Sequence, residues 1–244
     1  MKKIALVTGA SRGIGRAIAQ QLGKEGYAVA INCLQHIEQA ESLQQELQAQ
    51  GITCAVFPCD VGDFEAVQSM KESIETMWGP VSVLVNNAGI AQQKLFTDLD
   101  IADWRRMMSV HVDGTFNTCR VFLPTMLRQH EGCIVNVSSM WGQVGGSCEV
   151  HYSAAKAAVI GLTKALAKEV GPCGVRVNCV APGVICTDML GDLDEDALCA
   201  LAEETPLGRL GTVQDVADAV SYLVSDKAAF ITGQVLAPNG GIVI

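Results

Sequence analysis

The sequence predicts an α/β fold in which one doubly wound, seven-stranded parallel sheet carries helices on both faces. Three observations lead there. Short apolar runs alternate with longer helical patterns along all 244 residues, which is how repeated strand-helix units are written. A glycine-rich run, Thr8-Gly-Ala-Ser-Arg-Gly-Ile-Gly15, separates the first strand pattern from the first helix pattern. Apolar residues make up 49% and charged ones 18%, enough to bury both faces of a sheet.

In chain order, apolar runs predict strands over residues 4–8, 28–32, 53–58, 81–86, 133–138, 175–181 and 234–237. Helical spacing predicts helices over 13–25, 37–50, 63–78, 101–129, 150–171 and 212–226. Right-handed crossovers between parallel strands then place helices on both faces. Residues 1–244 read as one dinucleotide-binding domain, because α/β sheets of this length commonly fold around a single core. The least regular stretch, near 182–210, follows a strand and carries Asp192, Asp194, Glu195 and Asp196; it is expected to form a substrate lid.

Charge and composition exclude several classes. A net charge of -9 without a basic patch argues against nucleic acid as a partner. No apolar segment approaches the ~20 residues that span a bilayer, and Met1-Lys-Lys runs straight into the first strand, so neither membrane insertion nor export is expected and the location is expected to be cytoplasmic. Ten cysteines and four histidines are scattered without Cys-x-x-Cys spacing, which fits buried thiols in a reducing compartment and no metal site.

The glycine run points to nucleotide binding. Gly9, Gly13 and Gly15 permit a tight turn and a close backbone approach to a pyrophosphate at the start of a helix, with Ser11, Arg12 and Ile14 in the same loop. Arg12 offers a cation to a 2'-phosphate, whereas the end of the second strand, Ile31-Asn-Cys-Leu-Gln-His36, has no carboxylate to bond ribose hydroxyls. NADPH is therefore expected over NADH, with Asn32 in the contacting set. Farther on, Tyr152 and Lys156 stand at i and i+4 on one predicted helix face, thirteen residues beyond Ser139. A phenol ionises near pKa ~10, and an ammonium held beside it is expected to draw that value toward neutrality, which suits proton transfer to a carbonyl oxygen.

The glycine run, Asn86-Asn-Ala-Gly89, Ser139, Tyr152 and Lys156 together resemble the short-chain dehydrogenase/reductase family over essentially the whole chain. The resemblance implies a Rossmann-type sheet, a nicotinamide cofactor and a homotetramer. It also implies cofactor contacts from Asp60, Val61, Asn87, Ala88, Gly89, Pro182, Gly183 and Thr187, and from Tyr152 and Lys156. Tyr152 would be the proton donor, Ser139 would hold the carbonyl oxygen, and Lys156 would bind ribose. One position departs from the pattern: His111 stands where the family has an Asn that helps hold a water, so a histidine relay or simple packing is expected there.

For the substrate, the runs Ile134-Val-Asn-Val-Ser-Ser139 and Val177-Asn-Cys-Val-Ala-Pro-Gly183 resemble 3-oxoacyl-acyl-carrier-protein reductases. The carrier-binding arginines of those enzymes fall at His130 and Cys173 here, with Arg128 and Arg176 near enough to substitute. The segment from Ser138 to Tyr152, with Trp141-Gly and Ser147-Cys-Glu149, is similar instead to elongation factor P 5-aminopentanone reductases, which reduce a ketone on a modified lysine. That likeness implies a protein-borne ketone, with Glu149 pairing its amine and Trp141 forming a wall or a cation-π contact. Glu149 as a cap of the Tyr152 helix is the plainer alternative. A nucleotide-binding regulator without turnover is the remaining class.

Overall fold

A computed structural model describes residues 2–187 and 194–244. Its strands are β1 (Ile4–Val7), β2 (Ala28–Cys33), β3 (Cys54–Pro58), β4 (Val83–Asn86), β5 (Gly132–Val137), β6 (Val175–Val180) and β7 (Val235–Leu236). All pair in parallel, in the order β3-β2-β1-β4-β5-β6-β7. The α-helices are α1 (Gly13–Lys24), α2 (Ile37–Ala49), α3 (Phe64–Trp78), α4 (Ile101–Met108), α5 (Gly114–Gln129), α6 (Trp141–Val144), α7 (Val150–Val170), α8 (Glu195–Glu204) and α9 (Val213–Val224). This is a Rossmann-type, doubly wound sheet with helices on both sides.

Each central strand is apolar on both faces because both faces are covered. Ala5 and Val7 of β1 point into a core with Ile18 and Leu22 of α1 and Val216 and Val220 of α9. Their neighbours Ile4 and Leu6 enter the opposite core with Ile74 of α3 and Phe122 and Met126 of α5. The period of two along the strand sends successive residues to opposite layers. Burying a side chain such as Phe122 removes enough surface from water that its truncation costs about 3–5 kcal/mol.

A polar chain crosses the middle of the sheet. Asn86 Nδ2 donates to Asn136 Oδ1 at 2.8 Å, Asn136 Nδ2 donates to Thr163 Oγ1 at 2.9 Å, and Thr118 Oγ1 donates to Asn86 Oδ1 at 2.7 Å. Asn86 and Asn136 are also register partners across β4 and β5.

One expectation changes. The helix predicted over 101–129 is broken by a π-helical turn, Ser109–Asp113, between α4 and α5. The wider turn accommodates a close approach at its end, where a Cβ on Gly114 would lie 2.7 Å from Val61 Cγ2, and it places His111 inward. Within 182–210 the chain forms α8, capped by Asp194, whose Oδ1 accepts from Ala197 N at 2.8 Å, and a bridge joins Ile185 to Gly211. The predicted lid also includes residues 188–193, with Asp192, which lie outside the described residues. Among the described residues no helix is long and apolar enough to cross a membrane.

Candidate active site

Strand order reverses at β1 and β4, and the crevice beyond their carboxyl ends is where an open parallel sheet receives a ligand. Thr8 organises this end. Its hydroxyl accepts from Asn87 N at 2.9 Å and from Ala88 N at 3.0 Å. Asn87 Nδ2 returns bonds to Thr8 O at 2.9 Å and Gly9 O at 3.1 Å. Gly9 has φ +62, and a Cβ there would come 2.7 Å from Ala88 Cα, so only glycine lets the two loops meet. Arg12 is the N-cap of α1 and makes no side-chain cap bond. The first N–H groups of α1, beginning at Gly13, Ile14 and Gly15, thus receive no bond from the side chain of their N-cap residue, the arrangement that suits a pyrophosphate.

Beside this loop, Ser11, Arg12, Gly13 and Arg16 face Glu38 and Ser42 across a cavity of about 380 Å³. Arg16 spans it, with one nitrogen 2.6 Å from Glu46 Oε1 and another donating to Gln39 O at 3.1 Å. Asn32 does not reach out to this cavity. Its amide donates to Phe57 O and Cys59 O, both at 3.1 Å, and its Oδ1 accepts from Gly9 N at 3.4 Å, so it braces the glycine loop from below. Asn32, expected in the contacting set, is 1% exposed and turns its polar atoms to backbone groups that would otherwise be buried unpaired.

Asp60 Oδ1 accepts from Gly62 N at 2.8 Å, and Val61 O accepts from Asn117 Nδ2 at 2.9 Å, tying the loop after β3 to α5. Across the crevice, Pro182 O accepts from Met140 N at 2.9 Å and Gly183 N donates to Pro238 O at 3.2 Å. A Cβ on Gly13 would be 3.9 Å from Thr187 Cγ2, so Thr187 closes the far wall against the glycine loop.

Ser139, Tyr152 and Lys156 meet at the carboxyl end of β5. Ser139 Oγ accepts from Trp141 N at 3.2 Å and is hydrogen-bonded to the Tyr152 side chain. Lys156 lies on the same face of α7 as Tyr152, its Nζ 5.6 Å from the phenol ring centroid, and it donates to Val137 O at 2.8 Å. Burial pushes the Lys156 ammonium down to about 8. Burial also pushes the Tyr152 phenol up to about 12, opposed by the Ser139 bond and reinforced by the Glu149 carboxylate. The expected lowering by Lys156 is therefore reversed: desolvation of a phenolate outweighs an ammonium directed at a backbone carbonyl.

His111 is 2% exposed, and its ring stands edge-on to Tyr152 at 5.4 Å between centroids. Its Nε2 is 2.8 Å from Ile90 O. A Cβ on Gly89 would come 2.5 Å from His111 Cε1, so the Asn-Asn-Ala-Gly turn must end in glycine to admit the ring. Trp141 packs against the 145–146 turn, where a Cβ on Gly146 would lie 2.9 Å from Cδ2 of the indole. Glu149 is the N-cap residue of α7 yet makes no side-chain cap bond. Its Oε1 accepts instead from Gln93 Nε2 at 3.3 Å, and partial burial raises its pKa. Glu149 thus stands at the helix start that the plainer alternative expects, without a side-chain cap bond.

The sequence reasoning missed Thr8, although its place between β1 and Gly9 was a signal. It also missed His151, Gln92, Lys94 and Asp103. His151 Nε2 is 3.0 Å from Gln92 Oε1, Gln92 Nε2 donates to Asp103 Oδ1 at 2.8 Å, and Lys94 Nζ lies 2.6 Å from Asp103 Oδ2. Only the position of His151, directly before Tyr152, hinted at it. Arg176, expected to stand in for a carrier-binding cation, is committed elsewhere: it donates to Leu223 O at 2.6 Å and to Val224 O and Ser225 O, both at 3.3 Å. A cation at the last carbonyls of α9 satisfies groups the helix itself leaves unpaired.

A family model described as enoyl-(acyl carrier protein) reductase matches residues 9–243. The chain is 43% identical over 242 residues to a 3-oxoacyl-[acyl-carrier-protein] reductase of Staphylococcus aureus, covering 99% of this chain and 98% of the relative. It is 44% identical over 241 residues to nodulation protein G of Azospirillum brasilense, covering 99% and 98%. It is 40% identical over 242 residues to the uncharacterized oxidoreductase YmfI of Bacillus subtilis, covering 99% of both. With the reversed strand order and the glycine loop at the crevice, these matches place the chain in the short-chain dehydrogenase/reductase family, as an NAD(P)H-dependent oxidoreductase acting on carbonyl or hydroxyl groups.

Proposed function

We propose that the chain reduces a ketone to a secondary alcohol with NADPH, and that the ketone is a 3-oxoacyl group on a carrier protein. The convergence of Ser139, Tyr152 and Lys156 beside the crevice carries the chemistry, and the name of the Staphylococcus aureus relative, a 3-oxoacyl-[acyl-carrier-protein] reductase, supports the substrate. A nicotinamide cofactor held at the crevice would supply hydride. Tyr152, kept protonated by burial at a pKa of about 12, gives its proton to the carbonyl oxygen. The Ser139 hydroxyl donates to the same oxygen as charge develops on it. Lys156, with a pKa of about 8, remains an ammonium at neutral pH, would hold the ribose hydroxyls of a bound cofactor, and offsets the phenolate charge as the proton leaves.

NADPH is favoured by the guanidinium of Arg12 at the 380 Å³ cavity and by the absence of a carboxylate in Asn32-Cys-Leu-Gln-His36 at the end of β2, while Arg16 at the same cavity is paired with Glu46. The oligomer is proposed as a homotetramer. Two separate apolar patches support it: Ile101, Trp104 and Phe116 are exposed on α4 and α5, and Phe230 and Ile244 are fully exposed near β7. Sedimentation of the purified chain as a monomer would reject that assembly. The location is proposed to be cytoplasmic, where the acyl-carrier chemistry of the named relative would supply the substrate.

A second reading has its own observation. Glu149 presents a half-buried carboxylate that accepts from the neutral amide of Gln93, and Arg176 is occupied at α9. Both suit an amine-bearing ketone, 5-aminopentanonyl-lysine on elongation factor P, better than an acidic carrier. NADPH consumption with a 3-oxoacyl thioester on carrier protein, and with the ketone form of elongation factor P, decides between them. Turnover of the thioester alone supports the first reading. Turnover of the modified factor alone, with its ketone form accumulating in cells that lack this chain, replaces it with the second. No NADPH consumption with either, or with a generic ketone, leaves a nucleotide-binding regulator.

A further inference from the structure

Residues 90–95 leave the Asn86–Gly89 turn in irregular backbone, and three of them in succession bond to the substrate side of Tyr152. Gln92 Oε1 lies 3.0 Å from His151 Nε2, Gln93 Nε2 donates to Glu149 Oε1 at 3.3 Å, and Lys94 N donates to Cys148 O at 2.8 Å. The segment thus grips the loop 145–149, between α6 and α7, at two adjacent residues, and the first turn of α7 at a third. Glu149 in that loop also acts on the Tyr152 phenol, so the loop's position is felt at the reacting oxygen.

The loop needs such a grip. Cys148 has φ +60, a left-handed conformation that a residue with a Cβ keeps only where its neighbours impose it. Segment 92–94 takes its own position from one carboxylate. Asp103 of α4 accepts on Oδ1 from Gln92 Nε2 at 2.8 Å, and on Oδ2 from Lys94 Nζ at 2.6 Å and Asp100 N at 3.2 Å. The Lys94 bond first, then the Gln92 bond, hold this carboxyl well below the usual carboxylate range. The Lys94 and Asp103 side chains are 34% and 18% exposed, so solvent screens the pair less than it would two freely exposed charges. One ammonium therefore fixes the carboxylate, the carboxylate fixes Gln92, and the backbone of the same lysine reaches the loop.

We propose that Lys94 and Asp103 are positioning residues for the substrate: their ion pair sets residues 92–94, and these hold the loop 145–149 and the start of α7 as a ready-made wall for the ketone substrate. The proposal rests on Tyr152 being the proton donor of the proposed reduction, and it deepens that reading by assigning the shape of the substrate side to a charge pair outside Ser139, Tyr152 and Lys156. A wall ordered before the substrate arrives spares the ordering that a loose loop would undergo on binding. The pair accordingly acts on KM, while proton transfer from the phenol is left to the residues that surround its oxygen.

Lys94→Met removes the ammonium but keeps the backbone N–H and the α4 cap. The partly exposed thiol of Cys148 reports on the loop of the full chain without turnover. Its alkylation by iodoacetamide, followed from the mass of the Cys148 peptide, should be about tenfold faster in Lys94→Met and close to wild type in Lys94→Arg. KM for the ketone should rise about fivefold in Lys94→Met, with kcat and NADPH affinity within about twofold. An unchanged alkylation rate would overturn the proposal, as would faster alkylation with an unchanged KM. A Lys94→Arg chain that behaves like Lys94→Met would deny the ion pair its role. Should Lys94→Met fail to fold, Gln92→Leu cuts the same bracket at its next bond and is judged by the same two measurements. If the wild-type chain turns over no ketone, the proposed reduction fails, while Cys148 alkylation still decides whether the pair holds the loop.

Discussion

The two sides of the crevice handle polar atoms in opposite ways. On the β1–β3 side, the Thr8 hydroxyl and the Asn32 and Asn87 amides all end on backbone partners, fixing a loop whose glycines touch neighbouring main chain. On the α7 side, a phenol, an ammonium and two imidazoles are buried with pKa values displaced by desolvation, and two ring nitrogens lack partners among the described residues. Satisfied polar groups make a rigid cradle for an invariant ligand. Groups left in tension with their surroundings are poised to exchange protons.

If that contrast is right, Tyr152→Phe should lower kcat by about a thousandfold while NADPH affinity, measured by calorimetry, stays within about twofold. Retained turnover would place the acid elsewhere. On the other side, Gly9→Ala must put a Cβ against Ala88 Cα at a positive φ. It should destabilise the chain by about 2 kcal/mol in urea and weaken NADPH binding before it alters chemistry.

The buried imidazole sharpens the contrast through pH. His111 is held at about 3 when folded against 6.5 as its ordinary value. The unfolded chain thus binds more protons in that window, and the stability contributed by neutral His111 is complete above pH 6.5 and lost as pH falls toward 3. Denaturant midpoints of His111→Asn should show a shallower acid limb than the wild type. Tyr152 acts with the opposite sense in alkali: its folded value of about 12 exceeds 10.0, so its contribution holds below pH 10 and fades as pH rises toward 12.

Glu149→Gln should have a smaller effect on chemistry, because the carboxylate raises the phenol's pKa only as the third cause after burial and the Ser139 bond. Its ultraviolet tyrosinate titration should move down, and the KM for an amine-bearing ketone should rise several-fold with kcat nearly unchanged. The smallest effect on rate is expected from Arg176→Ala, which should cost about 1–2 kcal/mol in urea and leave kcat intact.

The sheet was legible in the sequence because both faces of each central strand are apolar, so strand runs such as Ile4 to Val7 stand out from the helical patterns between them. The glycine loop and the Tyr152–Lys156 spacing were legible because local backbone geometry fixes both. The break at Ser109–Asp113 was not, since a π turn within α4 and α5 depends on a long-range contact between Gly114 and Val61. The direction of the Tyr152 shift was misread for a related reason. Spacing gives the neighbour at i+4, whereas desolvation depends on everything packed around the ring. Arg176 was misjudged because its nearness to Cys173 in sequence says nothing of the α9 carbonyls that it meets in space.

The asparagine chain through the sheet has a consequence for how the molecule is made. Parallel strands with long crossovers pair slowly, and neighbouring apolar runs as alike as β4 and β5 invite assembly one position out of step. With Asn86 opposite Asn136, such a misstep would bury amides beside valines without their partners, so the pair penalises every register but the native one.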